Sequence, residues 1–314
     1  MTPPPFLEQR SFGVGLDLPW AEPIGFVREP GGRDHVSDRV RRFFAEHGHR
    51  FGHVFLAFQP RDRNRLRAER YYDAFDDYYG LDGAPPLRAL HHTMLNMGSV
   101  ESYPREDIAA FTNAMIHRYS LRWVVEDVGI WSMRGKVMPY PLPPLLTEPG
   151  LAGCVRNVRE CQALLNAPLV LEFPGFTEGT NVFVGTLDGF EFFARLAEAT
   201  DSPTTIDLGH VLSYQWLRGR QGARMYEGLD QLPLESCFEF HLSGCSISGG
   251  QFRDLHHGVL LDEQIELLEQ LLPRCPNLRV ITYEDPKFDE AGELIAKSRR
   301  NFERLAAIAG DWAN

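Results

Sequence analysis

The stretch "LRVITYEDPKF", residues 278–288, is an apolar run, rich in β-branched and aromatic residues, that ends in two acids and a proline. A helical pattern follows it, "AGELIAKSRRNFERLAAIAG", residues 291–310. Together they make the eighth strand–helix unit of the chain. Eight such units favour a closed barrel of parallel strands over an open sheet.

The seven earlier units repeat the same order, an apolar run followed by an amphipathic one. The predicted strands are 12–20, 53–60, 87–99, 122–132, 168–176, 203–214, 236–246 and 278–288. The predicted helices are 37–48, 65–80, 104–120, 151–167, 186–200, 223–232, 261–275 and 291–310. We therefore predict an α/β fold, a (β/α)8 TIM barrel, with residues 1–314 as one domain. A doubly wound open sheet is the alternative, and the last predicted helix, which reaches the chain end, favours the barrel.

The bulk composition excludes several classes of protein. The chain has 314 residues, 43% of them hydrophobic, and a formal net charge of -11. That apolar content supports a large core, and the acidic balance argues against nucleic acid and anionic membranes as partners. No apolar run approaches the ~18 residues of a membrane span, and the start "MTPPPFLEQRSF" lacks the pattern of a signal peptide. Five cysteines without a CxxC pair predict reduced thiols in the cytoplasm.

Histidines and carboxylates gather where the predicted strands end. Taken singly, such a residue is more often a helix cap or an ion-pair partner. Six consecutive strand ends with this character, and no matching ring of Lys or Arg, would be strongly destabilising without cations, and metal ions are the simplest source of positive charge. The residues concerned are His91, His92, Glu126, Asp127, Glu172, Asp207, His210, His241, Glu284 and Asp285, together with Asp254, His256 and His257 in "RDLHHG".

The ligand types narrow the choice of metal. Imidazole with many carboxylates suits iron, manganese or zinc, and so many ligands imply roughly two or three ions. Cys245 is better explained as a small buried residue than as a ligand. The sequence does not support a nucleophilic serine or a phosphate-binding loop, because GxSxG and Walker motifs are absent. It does not support a nicotinamide site either, because "GVGLDL" lacks the GxGxxG spacing. The segments 133–150 and 218–228 are predicted to be active-site loops or lids.

A set of segments resembles the multinuclear non-haem iron-dependent oxidative enzymes, whose members act in methanobactin and 3-thiaglutamate biosynthesis. The resemblance runs from "GVGLDL" through the eighth strand. It implies a barrel of the xylose-isomerase type, two or three irons, and dioxygen-dependent oxidation of cysteine or another residue of a ribosomal peptide, with a small leader-binding partner protein in many members. The segments are "HHTMLNMGS", "VEDVGIWS", "LVLEFPGF", "TIDLGHV", "EFHLSGCSISGG", "DLHH" and "ITYED".

The resemblance also implies a ligand set. It places Glu172, Asp207 and His241 at the heart of the site as catalytic residues. Departures occur at Asp127, which replaces a histidine, at Phe173, which replaces an asparagine, and at Cys245, which replaces a final histidine. The open alternatives are a substrate that is a small amino-acid-derived metabolite, and a redox-neutral sugar isomerase or epimerase with divalent metals. The predicted metal ligands are His91, Glu126, Glu172, Asp207, His210, His241, Asp254, His256 and Glu284.

Overall fold

The structure, a computed structural model, describes residues 13–19, 36–58, 67–177, 181–256 and 259–313. Its strands are β1 (Val14–Pro19), β2 (Val54–Phe58), β3 (Arg88–His92), β4 (Val124–Asp127), β5 (Ile130–Met133), β6 (Lys136–Leu142), β7 (Leu169–Glu172), β8 (Thr204–Asp207), β9 (Cys237–Leu242), β10 (Cys245–Ser248), β11 (Gln251–Asp254) and β12 (Val280–Glu284). Its α-helices are α1 (Asp38–His47), α2 (Tyr72–Tyr79), α3 (Arg105–Tyr119), α4 (Glu148–Leu164), α5 (Gly189–Thr200), α6 (Leu208–Leu217), α7 (Asp262–Leu271) and α8 (Ala296–Ala313).

Eight of these strands close into a barrel, in the order β1, β2, β3, β4, β7, β8, β9 and β12, and β12 pairs with β1. Every pairing within the barrel is parallel, so all the carboxyl ends open on one face. The predicted TIM barrel is confirmed. The remaining four strands form two antiparallel hairpins, β5–β6 and β10–β11, each inserted after a barrel strand.

Side chains that point into the barrel alternate with side chains that pack under the helices, because successive residues of a strand face opposite sides. A small separate apolar cluster inside the barrel includes Phe55, Trp123 and Val125, and the buried Glu239 lies beside it. The larger core lies between the strands and the surrounding helices. Both faces of the strands are thus covered, which explains their nearly continuous apolar sequence.

Helix starts follow the capping residues of the sequence. Ser37 accepts from the Val40 amide at the start of α1, and Asp188 accepts from the Phe190 amide at the start of α5. These side chains satisfy amides that have no partner within the helix. Among the described residues, no helix is both long and apolar enough to cross a bilayer. All five cysteines are buried and unpaired by disulfides.

Several local predictions were wrong, among them the third strand, expected over 87–99, which ends at His92. The sixth strand was expected over 203–214, but it ends at Asp207, and α6 begins with the next residue because the Asp207 carboxylate caps it. The helix expected over 223–232 is two short 3-10 turns, Gly222–Tyr226 and Leu229–Gln231. The loop expected over 133–150 is largely the β5–β6 hairpin and the start of α4.

Candidate metal centre

Ten ionisable side chains converge at the carboxyl-end face of the barrel. Seven lie near the ends of barrel strands, and three lie in the segments that follow β8 and β9. All but His256 are buried, and His256 is one-third exposed. We call this cluster of ten side chains the bowl. Its carboxylates outnumber its imidazoles, so the bowl is negatively charged when the acids are ionised. The ten are Asp17, His91, Asp127, Glu172, Asp207, His241 and Glu284 on the barrel strands, with His210 on α6, Asp254 on β11 and His256 after it.

Glu172 occupies the middle of this bowl. One carboxylate oxygen, Oε2, lies 3.2 Å from Nε2 of His91, and the other, Oε1, lies 3.4 Å from Nδ1 of His241. Oε1 also lies 3.8 Å from Nδ1 of His210. The two oxygens of one carboxylate therefore face imidazoles from β3, β9 and α6.

His91 and His241 each contact further acids besides Glu172. Nδ1 of His91 is hydrogen-bonded to Oδ2 of Asp17 at 2.7 Å, and Nδ1 of His241 lies 2.6 Å from Oε1 of Glu284. Asp17 and Glu284 sit opposite each other in the register of β1 and β12. The closure of the barrel between its first and last strands thus brings this pair of acids against the two histidines.

A second group of ligands lies on the side of α6 and the β10–β11 hairpin. Nε2 of His210 lies 3.6 Å from Oδ2 of Asp254, and Nε2 of His256 lies 3.7 Å from Oδ1 of the same acid. The other nitrogen of His256, Nδ1, lies 3.1 Å from Oε2 of Glu284, which links the two groups. His256 has φ of 45°, in the left-handed region that non-glycine residues rarely adopt, so its placement carries backbone strain.

One carboxylate oxygen of Asp207 caps a helix, and the other faces the bowl. Its Oδ1 accepts from the His210 amide at 2.7 Å as the cap of α6. Its Oδ2 is buried with no hydrogen-bond partner among the described residues, and burial raises the pKa of Asp207 well above its ordinary value. The local sequence "DLGH" explains the geometry, since Asp207 ends the strand and the same carboxylate starts the helix that carries His210.

Electrostatics in the bowl favour positive charge on its histidines. Burial lowers the pKa of His91, but Glu172, Asp127 and Asp17 outweigh it and raise the pKa well above its ordinary value. His241 behaves alike: burial lowers its pKa, while nearby carboxylates, Glu172 first among them, raise it well above the ordinary value. Burial raises the pKa of Glu172, and the two histidines bring it down to about 2. Without metal, the acids of the site therefore favour proton binding by these two imidazoles.

The donor set fits metal ions. Both oxygens of Glu172, Oε1 of Glu284 and Nε2 of His91 are buried without a hydrogen-bond partner among the described residues. Buried polar atoms are normally hydrogen-bonded, so a group of such atoms aimed at one space indicates a missing partner. Five trios of His and acidic residues each have donor atoms within 4.8 Å of one another, and Glu172 belongs to three of them. The donor atoms are nitrogen and oxygen, which iron, manganese and zinc all bind.

One predicted ligand, Glu126, lies away from the bowl. Its carboxylate accepts from the amides of Met94, Leu95 and Asn96 at 2.8–2.9 Å and is 2.5 Å from Nδ1 of His92. The cause is the alternation of the strand: Glu126 points out of the barrel towards the β3–α3 loop, and its neighbour Asp127 points in. The remaining predicted ligands, His91, Glu172, Asp207, His210, His241, Asp254, His256 and Glu284, are brought together.

Sequence reasoning missed Asp17 and did not commit to Asp127. Asp17 is the single acid in the apolar run "GVGLDL", and an acid buried inside a strand was the available signal. Asp127 lies 3.8 Å from Nε2 of His91 and 3.6 Å from Nδ1 of His210, through different oxygens. Its position next to Glu126 hid which of the two faces inward. Glu239, a buried acid one layer below His241, was also missed.

The other departures from the family pattern have structural roles. Phe173 is a buried aromatic residue packed among Phe176, Phe190 and Tyr214, and its carbonyl accepts from Nδ1 of His210 at 2.7 Å. Cys245 is buried, and burial raises the pKa of its thiol well above the ordinary value. His257 lies outside the described residues.

Comparison with known proteins agrees with the barrel and indicates the family. Among curated proteins, a UPF0276 protein from Streptomyces avermitilis is 28% identical over 187 residues, which are 56% of this chain and 35% of that one. The chain thus matches about a third of the length of that relative.

Two solved structures share the fold. A xylose isomerase domain protein from Alicyclobacillus acidocaldarius matches with a TM-score of 0.51 and 18% identity, over 95% of this chain and 99% of that one. Mannonate dehydratase from Streptococcus suis matches with a TM-score of 0.51 and 10% identity, over 96% and 95% of the two chains. At these identities the likeness shows the xylose-isomerase-like barrel alone.

The family comparison reaches further, because it covers most of the strands that carry the bowl. Residues 84–305 match the model of the family described as "RiPP precursor modification enzyme MbnB/TglH/ChrH". The matched part extends from just before β3 into α8 and includes His91, Glu172, Asp207, His241 and Glu284. The chain belongs to this family of RiPP precursor modification enzymes.

Proposed function

We propose that the chain is a multinuclear non-haem iron enzyme that uses dioxygen to oxidise a residue of a ribosomal peptide, with cysteine the first candidate. A small amino-acid-derived metabolite is the alternative substrate. The observation that carries the proposal is the position of Glu172, whose two oxygens face His91 on one side and His241 on the other. A carboxylate placed in this way could help to hold more than one metal ion, and the family membership favours oxidation of a peptide.

In this proposal the metal ligands are the eight predicted residues of the bowl with Asp17 and Asp127 added. The iron ions, when bound, would supply electrons to dioxygen and a point of attachment for the substrate. Glu172 lies in the middle of the metal ligands, and His91 and His241 would bind metal on either side of it. Asp207 would contribute Oδ2, because its Oδ1 caps α6. The buried walls exclude water, which strengthens every charge interaction within the bowl.

The choice of iron rests on the donor atoms together with the family. Manganese or zinc would accept the same nitrogen and oxygen ligands. Of the ten described side chains of the bowl, His256 is the partly exposed one, and we assign its side as the direction from which substrate approaches. A small leader-binding partner protein and a cytoplasmic setting complete the proposal, which includes neither nucleic acid nor membrane as a partner.

The competing function is a redox-neutral sugar isomerase or epimerase, because barrels of this type bind divalent metals through similar ligands. The test is oxygen consumption by the anaerobically reconstituted ferrous protein after mixing with a co-encoded cysteine-containing peptide, beside an argon control. We expect substrate-dependent oxygen uptake and no product under argon. Turnover that proceeds equally under argon would overturn the oxidase and support the isomerase.

A further inference from the structure

Glu239 lies on β9 two residues before His241, one layer deeper in the barrel. It is fully buried. Its carboxylate receives three hydrogen bonds from the barrel wall: from Oγ1 of Thr282 at 2.5 Å, from Nε1 of Trp123 at 3.3 Å and from Oγ1 of Thr205 at 3.3 Å. Three donors to one carboxylate fix its orientation in the barrel wall, and its oxygens act there as acceptors.

The ring of His241 lies between this acid and the bowl. Nε2 is 3.2 Å from Oε1 of Glu239, and Nδ1 is 2.6 Å from Oε1 of Glu284 and 3.4 Å from Oε1 of Glu172. A neutral imidazole has one N–H and one lone pair. Both nitrogens of His241 face carboxylates, so a bound metal would decide between them. Ligation through Nδ1 requires its lone pair and leaves the N–H on Nε2, where Glu239 is the acidic neighbour.

A further histidine supports this arrangement from below. Nε2 of His53 is 2.8 Å from Oγ1 of Thr282, whose own hydrogen is donated to Glu239. The hydroxyl of Thr282 therefore accepts from His53 and donates to the acid. Space for the His53 ring exists because residue 15 is glycine: a Cβ there would lie 1.9 Å from Nε2 of His53. The chain of contacts runs from β1 through His53, Thr282 and Glu239 to His241.

We propose that Glu239 is a positioning residue that acts through His241: it fixes the tautomer in which Nδ1 is the metal-binding atom and holds the ring at the angle that ligation needs. Carboxylates behind metal-bound histidines raise ligand basicity and orient the ring. This inference rests on the proposed function, since it requires a metal at His241. It adds a residue that contacts no metal and lies outside the donor trios.

The test compares metal binding by full-length variants. Wild type, Glu239→Gln and the surface control Glu148→Gln, which loses an exposed pair with Arg195, are stripped with chelator and titrated anaerobically with Fe2+ and Co2+. We expect Glu239→Gln to weaken binding about 10- to 100-fold and to alter the absorption spectrum of the Co2+ form, while the control matches wild type. Wild-type affinity with an unchanged Co2+ spectrum in Glu239→Gln would overturn the inference.

Two further variants separate this role from a merely structural one. In the His241→Ala background, Glu239→Gln should have no added effect on metal affinity, because a residue that acts through His241 is coupled to it. An equal loss with and without His241 would overturn the inference. If Glu239→Gln does not fold, Thr282→Val gives the answer, with a weaker loss in the same direction expected and an unchanged affinity contradicting it. If wild type itself binds no metal, the proposed function fails, a result distinct from these.

Discussion

Oε1 of Glu284 lies 2.6 Å from Nδ1 of His241, across the pairing of the last two barrel strands. The same acid reaches Nδ1 of His256 at 3.1 Å through Oε2. Glu284 therefore joins a histidine of the barrel wall to a histidine of the segment after β11. We expect the contents of the bowl to behave as one coupled unit, in which loss of any central ligand affects the rest.

His241→Ala and Asp207→Ala should each remove metal and abolish turnover. Each change deletes a donor atom that faces the bowl, and Asp207→Ala also removes the cap of α6, at a cost of about 1 kcal/mol. Metal analysis after iron reconstitution should give roughly two or three ions per chain for wild type and fewer for each variant, with native circular dichroism. Full activity of either variant would contradict the ligand assignment.

Glu126→Gln should act on stability and leave metal content unchanged. The amide cannot replace both oxygens that accept from the Met94, Leu95 and Asn96 amides, and each buried donor left unpaired costs about 1–3 kcal/mol. The measurement is denaturant unfolding together with metal analysis. The matched change is Asp127→Asn, which should lower metal affinity instead. A loss of metal in Glu126→Gln with normal stability would restore Glu126 as a ligand.

The metal-free protein should lose stability as the pH rises. The pKa values of His91 and His241 are raised in the fold, so their contribution is complete below the ordinary histidine pKa of about 6.5 and is lost as the pH passes the folded values. Glu172 acts in the opposite direction: its stabilising contribution is present above its ordinary pKa of 4.5 and is lost as the pH falls towards about 2. Melting temperature against pH, measured with and without metal, is the test.

Metal binding must displace those imidazole protons, so affinity should increase with pH. Added metal should therefore raise the melting temperature more on the alkaline side than near neutrality. A metal-induced shift that is the same at every pH would mean that His91 and His241 are neutral before metal binds.

Gly15→Ala should destabilise the fold and weaken metal binding together. The new Cβ would lie 1.9 Å from Nε2 of His53, so the ring must move, and overpacking of this kind costs about 1–3 kcal/mol. Displacement of His53 also disturbs Thr282 and, through it, Glu239. The control is Gly310→Ala in α8, where a Cβ meets nothing within 4 Å and helix propensity predicts slight stabilisation. Equal behaviour of the two variants would argue against the His53 contact.

The sequence determined the barrel and most of the bowl. Apolar runs that alternate with amphipathic runs leave few arrangements, and parallel strands bring all their carboxyl ends to one face. An acid or histidine at such an end, as at Glu172, Asp207 and Glu284, could therefore be assigned to the site from its position alone. Asp207 was assigned to the site in this way although its strand was predicted to extend to residue 214.

Only the tertiary structure decided which of two adjacent residues faces inward. Glu126 and Asp127 have the same charge and neighbouring positions, and the phase of a four-residue strand is set by its pairing with β3 and β7. Closure of the barrel likewise determines that Asp17 belongs to the site, because an acid on the first strand reaches the other ligands only when β1 pairs with β12. The support of His241 by Glu239 depends on depth within the barrel, which follows from the stagger of all eight strands and is not encoded in any local segment.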